Sequence, residues 1–354
     1  MIRIRRRGRF AAAVVIGFVA AGLVALTATG AVRVLGLPTY TGPESKYPKT
    51  YPTPTKKPGF KCTIGFLNPL AANEFLISLQ HGIEAESKKL GCSAVSKDAQ
   101  LNVDKQVTEF NDLIAQKVSA IIVFPNDPKA LDPSIAKAKA AGIPVIGIDV
   151  TFQAKDAVNK TIVSQVWQSR DEQAFLEAAE MAKLKPHAKV VVIGIGIPVP
   201  SLKYWSQRVH FWAAKDGLTV LGEQDNPSDD SSGGQQAMTG LLGKFPNIDG
   251  VIAYNDYSAL GAWAADRAGG RTKILIEGNN GQTVGIQAVK TGKIAATFQI
   301  DAIGMGVQST NAAYDALTKQ GGKLPKIVVR HVVPVTKANV ASIVPWSQQV
   351  KKIR

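Results

Sequence analysis

The chain has 354 residues, room for two cores of ordinary size, since single domains usually close at about 100–200 residues. Its 45% hydrophobic and 19% charged residues give a globular composition and exclude a disordered chain. The net charge of +15 would suit nucleic acid, but residues 1–58 carry ten Lys/Arg against one Glu, and the other 296 residues share only +6 without a dense basic run.

Arg3, Arg5, Arg6, Arg7 and Arg9 precede an uninterrupted apolar and small-residue stretch from Phe10 to Val32. A positive flank before roughly 20 apolar residues stays in the cytoplasm and directs the rest of the chain outward. Residues 1–36 therefore read as an apolar N-terminal helix, a signal peptide or signal anchor. Cleavage after Ala28-Thr29-Gly30 would give a secreted protein; without it the helix is a cell-surface anchor. No Cys follows the apolar run to carry a lipid. Residues 37–58 (LPTYTGPESKYPKTYPTPTKKP) space their prolines as an extended chain does and read as a tether.

Cys62 and Cys92, the two cysteines, stand at the starts of consecutive expected strands. Two ligands cannot close a zinc shell, so outside the cytoplasm the pair reads as a disulfide, with two buried thiols as the alternative.

From residue 59 short apolar runs alternate with segments of helical period. Strands are expected over 62–67, 93–98, 120–124, 144–149, 161–164, 189–194, 219–224, 250–255, 274–279, 295–300 and 327–333. Amphipathic helices are expected at Glu74–Leu90, Asp104–Lys117, Asp132–Ala141 and Arg170–Leu184. The rhythm restarts near Lys189, which predicts an α/β protein with two doubly wound parallel-sheet lobes. In such sheets ligands sit beyond the carboxyl ends of the strands. Those ends carry Asn73 and Phe75, Asp149, Trp167, Arg208, Asn255, Asn280 and Gln299. Amides, carboxylates and guanidinium suit hydroxyl groups, and aromatic rings cover sugar faces.

Four segments carry a family likeness. AANEFLISLQHGIEAESKKLG, PVIGIDV, GVIAYNDYSALGA and GKIAATFQ, in that order within about 60–335, resemble periplasmic sugar-binding proteins of the ribose-binding type. The resemblance implies a type I periplasmic binding protein fold with a hinge of three crossings, near Ser164, Gln299 and Arg330. The first lobe would then hold 59–163 and 301–330, and the second 164–300 and 331–350. It also implies that Asn73, Phe75, Asp149, Arg208, Asn255, Asn280 and Gln299 line the cleft between the lobes. Leu76, Val150 and Asn280 depart from the family's pattern, and no late aromatic stands near Asp229. Trp167 is a candidate replacement for the stacking surface, with packing under a loop as its other reading.

These features predict an exported, monomeric binding protein that captures a sugar or polyol without any cofactor. It would deliver that ligand to an ABC-type permease; the alternative is an anchored receptor feeding a signalling partner. Catalysis finds no support: His81, His187, His210 and His331 lack metal-ligand spacing, and Val199 occupies the third glycine position of a dinucleotide loop at Gly194-Ile195-Gly196. Sugar-responsive repressors of the lac-repressor type share such a core, but they begin with a helix-turn-helix where this chain has an apolar stretch.

Overall fold

The computed structural model describes residues 28–152, 160–197, 199–270 and 273–353. Most of the expected membrane-directing stretch therefore lies outside the described residues. Among those described, no helix is long and apolar enough to cross a membrane.

Six strands build the first sheet: β1 Thr63–Asn68, β2 Ser93–Asp98, β3 Ala120–Val123, β4 Val145–Ile148, β5 Ser164–Gln168 and β11 Ile327–Arg330. They lie in the order β11-β5-β4-β3-β1-β2, all parallel. Strands β3 and β4 are buried throughout, as their unbroken apolar runs require when helices cover both faces, and β5 is buried along its length despite Ser164, Gln165 and Gln168. Helices α2 (Glu74–Leu90) and α10 (Ala302–Thr318) cover one face, α3 (Val103–Ala115) and α4 (Pro128–Ala140) the other. The first pair approaches backbone to backbone, since a Cβ on Gly82 would lie 2.3 Å from the Ile303 carbonyl oxygen.

The second sheet holds β6 Lys189–Ile195, β7 Thr219–Asn226, β8 Gly250–Ala253, β9 Leu275–Glu277, β10 Ala296–Ile300 and β12 Val332–Thr336. Their order is β12-β10-β9-β8-β6-β7, with only β12 antiparallel. Helices α5 (Arg170–Leu184) and α6 (Pro200–Lys215) cover one face; α7 (Ser231–Lys244), α8 (Asp256–Ala268) and α9 (Thr283–Thr291) cover the other. A last helix, α11 (Trp346–Ile353), returns to α2.

The chain passes between sheets three times: from β5 into α5, from β10 into α10, and from β11 into β12. The division expected before Ser164 needs correction. Strand β5 is hydrogen-bonded between β4 and β11, so it belongs to the first lobe and the crossing follows Gln168.

A second correction concerns residues 37–58, which are docked instead of hanging as a free tether. Helix α1 (Ala28–Leu35) lies beside β12, and Lys183 of α5 donates to the Leu35 carbonyl at 2.8 Å. Tyr40 then donates to Asp171 at 2.7 Å. Glu44, wholly buried, accepts from Trp167 Nε1 at 2.8 Å, Ser169 Oγ at 2.7 Å and the Asp171 amide at 2.9 Å, so its carboxylate caps the N-terminus of α5. Further on, Pro48 accepts from the Val329 amide at 2.8 Å, and Tyr51 donates to the Gln165 carbonyl at 2.8 Å. The segment thus straps both lobes where the chain crosses between them.

Cys62 and Cys92 form a disulfide with a Cα–Cα distance of 4.6 Å. They precede β1 and β2, whose register pairs Thr63 with Ser93, so adjacent strand starts bring them together.

Replacing both cysteines by serine should cost about 3 kcal/mol of stability, read by urea unfolding without reductant; an unchanged midpoint would contradict the bridge. The strap offers a second test. Burial pushes the Glu44 carboxyl up to about 7, against the pull of its donors. A carboxyl raised in the folded state adds stability at low pH and loses it as pH rises through the folded value. The stability lead of the wild type over Glu44→Gln should therefore grow as pH falls from about 8 to about 5, and a constant lead in thermal melts would contradict the assignment.

Candidate ligand-binding site

The carboxyl ends of the two sheets face each other across a cleft of about 540 Å³, counting its open mouth. From the first lobe come Asn73, Phe75 and Leu76 after β1, Leu101 after β2, and Phe124 and Asn126 after β3. Arg170 enters at the first crossing. The second lobe supplies Ile195 at the end of β6 and Ile197, Val199 and Leu202 after it, Asp229 after β7, Tyr254 and Asn255 after β8, and Asn280 after β9.

Local backbone chemistry sets these side chains in place. Asn73 and Asn255 cap α2 and α8, accepting from Phe75 N and Ser258 N. Asp149, Asp229 and Asn280 hold φ of 49°, 56° and 87°, a left-handed conformation that Asp and Asn tolerate better than other side chains. Phe75 packs between Phe124 and Trp346, whose ring centroids stand 6.3 and 5.8 Å away. Trp346 is itself fixed by donating to the Ile300 carbonyl at 3.0 Å.

The lobes are closed on each other. Asn73 donates to Asp229 across the cleft at 3.0 Å, and Thr283 at the start of α9 donates its amide to Glu74 of α2 at 2.8 Å. Asp229 also accepts from Tyr254 at 2.5 Å and Asn255 at 2.7 Å. Burial raises its carboxyl above the usual range, while those three donors favour the ionised form.

Arg170 is 3% exposed and donates to Asp149 at 2.5 Å, tying α5 to the end of β4. Asp149 also accepts from Gln168 N at 2.7 Å; burial raises its carboxyl against the pull of Arg170. The Nε of Arg170 and both side-chain polar atoms of Asn126 are buried without a hydrogen-bond partner among the described residues. An unpaired buried polar group costs about 1–3 kcal/mol, so these atoms call for a partner in the cleft.

Of the residues expected from sequence, Asn73, Phe75, Asn255 and Asn280 line the cleft. Asp149 stands behind it, holding Arg170. Trp167 and Arg208 point elsewhere. Trp167 packs on Phe152 and Tyr204 and donates to Glu44. Arg208 pairs with Asp171 and lies 4.0 Å over the Phe211 ring. Gln299 reaches the Val344 carbonyl at 3.3 Å and backs Gly281, outside the lining. Sequence reasoning missed Asn126, Arg170, Asp229 and Tyr254. For Asn126 and Asp229 the strand-end rule was signal enough.

Two α/β lobes, three crossings and a cleft at opposed strand ends that combines amide and charged groups with apolar side chains are the build of a solute-binding protein. The chain belongs to the periplasmic binding protein family, whose domain matches residues 64–323; these are transport proteins and not enzymes. It is similar to the ribose import binding protein of Bacillus subtilis, 33% identical over 75% of this chain and 84% of that protein. It is also similar to a xylitol-binding protein of Mycolicibacterium smegmatis, 28% identical over 76% of this chain and 75% of that one. Among solved structures, a periplasmic solute binding protein of an ABC transporter from Actinobacillus succinogenes, with bound D-allose, superposes with a TM-score of 0.72. The two are 27% identical, over 79% of this chain and 99% of that one.

Replacing Asp149 by alanine would leave the Arg170 guanidinium buried without its partner, and should cost about 3–5 kcal/mol in urea unfolding. Arg208→Ala should leave ligand affinity unchanged in titration calorimetry, because the side chain faces Asp171; a lost affinity would place it in the site.

Proposed function

We propose that the protein captures one neutral sugar or polyol between its lobes outside the cytoplasm and delivers it to an ABC-type importer. The observation that carries this reading is the closed cleft with unpaired amide and guanidinium atoms, Asn126 and Arg170, buried inside it. Such groups match hydroxyls, which donate and accept at once. Charged ligands fit less well: Arg170 is answered by Asp149, and Asp229 already accepts three hydrogen bonds.

Ligand touching both lobes stabilises the closed state by its differential affinity, and that state is the signal a permease reads. The disulfide suits an oxidising compartment, which supports a place outside the cytoplasm. Both walls of the cleft come from one chain, which fits action as a monomer. The ligand-binding set we assign is Asn73, Phe75, Asn126, Arg170, Asn255 and Asn280.

A thermal-shift screen of the purified protein against sugars, polyols, nucleosides and amino acids tests the proposal. Stabilisation by sugars or polyols is expected, and Asn126→Ala should weaken the best ligand by about tenfold to a hundredfold. A response confined to amino acids would contradict the reading.

A further inference from the structure

The cleft is chemically two-sided, and the topology of the second lobe explains why. The connections after β7, β8 and β9 lead to α7, α8 and α9 on one face of the sheet, and they bring Asp229, Asn255 and Asn280 to the cleft. The connection after β6 leads to α6 on the opposite face. With the end of β6 and the first turn of α6, it lines the cleft only with aliphatic side chains: Ile195, Ile197, Val199 and Leu202. Leu76 and Leu101 of the first lobe add to the carbon surface. Arg170 is the one charged residue from α5 in the cleft, and Asp149 holds its charge.

A fully hydroxylated ring has CH faces but a polar rim. The aliphatic chains at and after the end of β6 offer carbon surface with no hydrogen-bonding side-chain group, which suits the part of a ring that bears no hydroxyl. Any hydroxyl directed at Ile197, Val199 or Leu202 would give up water and find no acceptor or donor from those side chains.

We infer that the preferred ligand is a neutral ring with one apolar edge, a deoxy or methyl-bearing sugar or cyclitol. It is oriented with its hydroxyls toward Asn73, Asn126 and Asn255 and its apolar edge toward the aliphatic residues after β6. This rests on the sugar or polyol reading above and narrows it. Adding a hydroxyl at that edge should weaken binding by about tenfold to a hundredfold, the range an apolar pocket achieves against a hydroxylated isostere.

Titration calorimetry with matched pairs tests the inference: L-fucose against L-galactose, L-rhamnose against L-mannose, 2-deoxy-D-ribose against D-ribose, and a deoxyinositol against myo-inositol. The expected result is at least one pair in which the deoxy member binds tenfold or more tightly than its parent. Val199→Thr, which keeps the side-chain shape and adds a hydroxyl, should narrow that gap. Parents that bind as tightly as, or more tightly than, their deoxy partners in every pair overturn the inference while leaving sugar capture intact. A deoxy preference that Val199→Thr leaves unchanged removes the assignment of the edge to the residues after β6. Silence across all four pairs while a fully hydroxylated sugar or polyol stabilises the protein overturns this inference alone; silence with stabilisation by a different chemical class overturns the sugar reading and this inference together.

Discussion

Parallel strands impose the constraint on which this molecule depends. Each needs a crossover helix before the next strand can pair, so strands linked by such crossovers present their carboxyl ends at one side of the sheet. Two such sheets joined at their edges can face those ends toward each other. Polar loop residues from both lobes then share one enclosed space, and neither lobe alone makes a complete site. Asn73 from the first and Asp229 from the second meet in that space directly.

The buried charges are organised around the same junction. Asp149 at the end of β4 holds Arg170 at the start of α5, a pair that spans the first crossing. The next residue along, Asp171, receives Arg208, Trp212 and Tyr40, while Glu44 caps the helix from outside the two lobes. One helix terminus therefore meets the cleft, the second lobe and the strap. The strap lies before residue 64, where the match to the family's domain begins.

The alternation of strand and helix was legible because periodicity is a local property, and Asn73 and Asn255 were legible because a cap must stand where a strand gives way to a helix. Arg208 was misplaced for a geometric reason. It lies six residues beyond Leu202, about 240° around the helix, so when Leu202 faces the cleft Arg208 faces α5. Trp167 was misassigned because the fifth strand was expected to end at residue 164, which put Trp167 beyond a strand end; it lies inside β5, whose true end at Gln168 leads directly to Arg170. The docking of residues 37–58 was hidden by composition. Pro, Thr and Lys describe a solvated chain, and nothing local to Glu44 announces the helix amides it meets more than a hundred residues later.

Amide hydrogen exchange of the protein, with and without the sugar or polyol that stabilises it most, tests capture between the lobes most directly. Capture predicts joint protection of the segments around Asn73 and Asn126 in the first lobe and around Leu202 and Asn255 in the second. Protection confined to one lobe, or appearing only away from these strand ends, would contradict it.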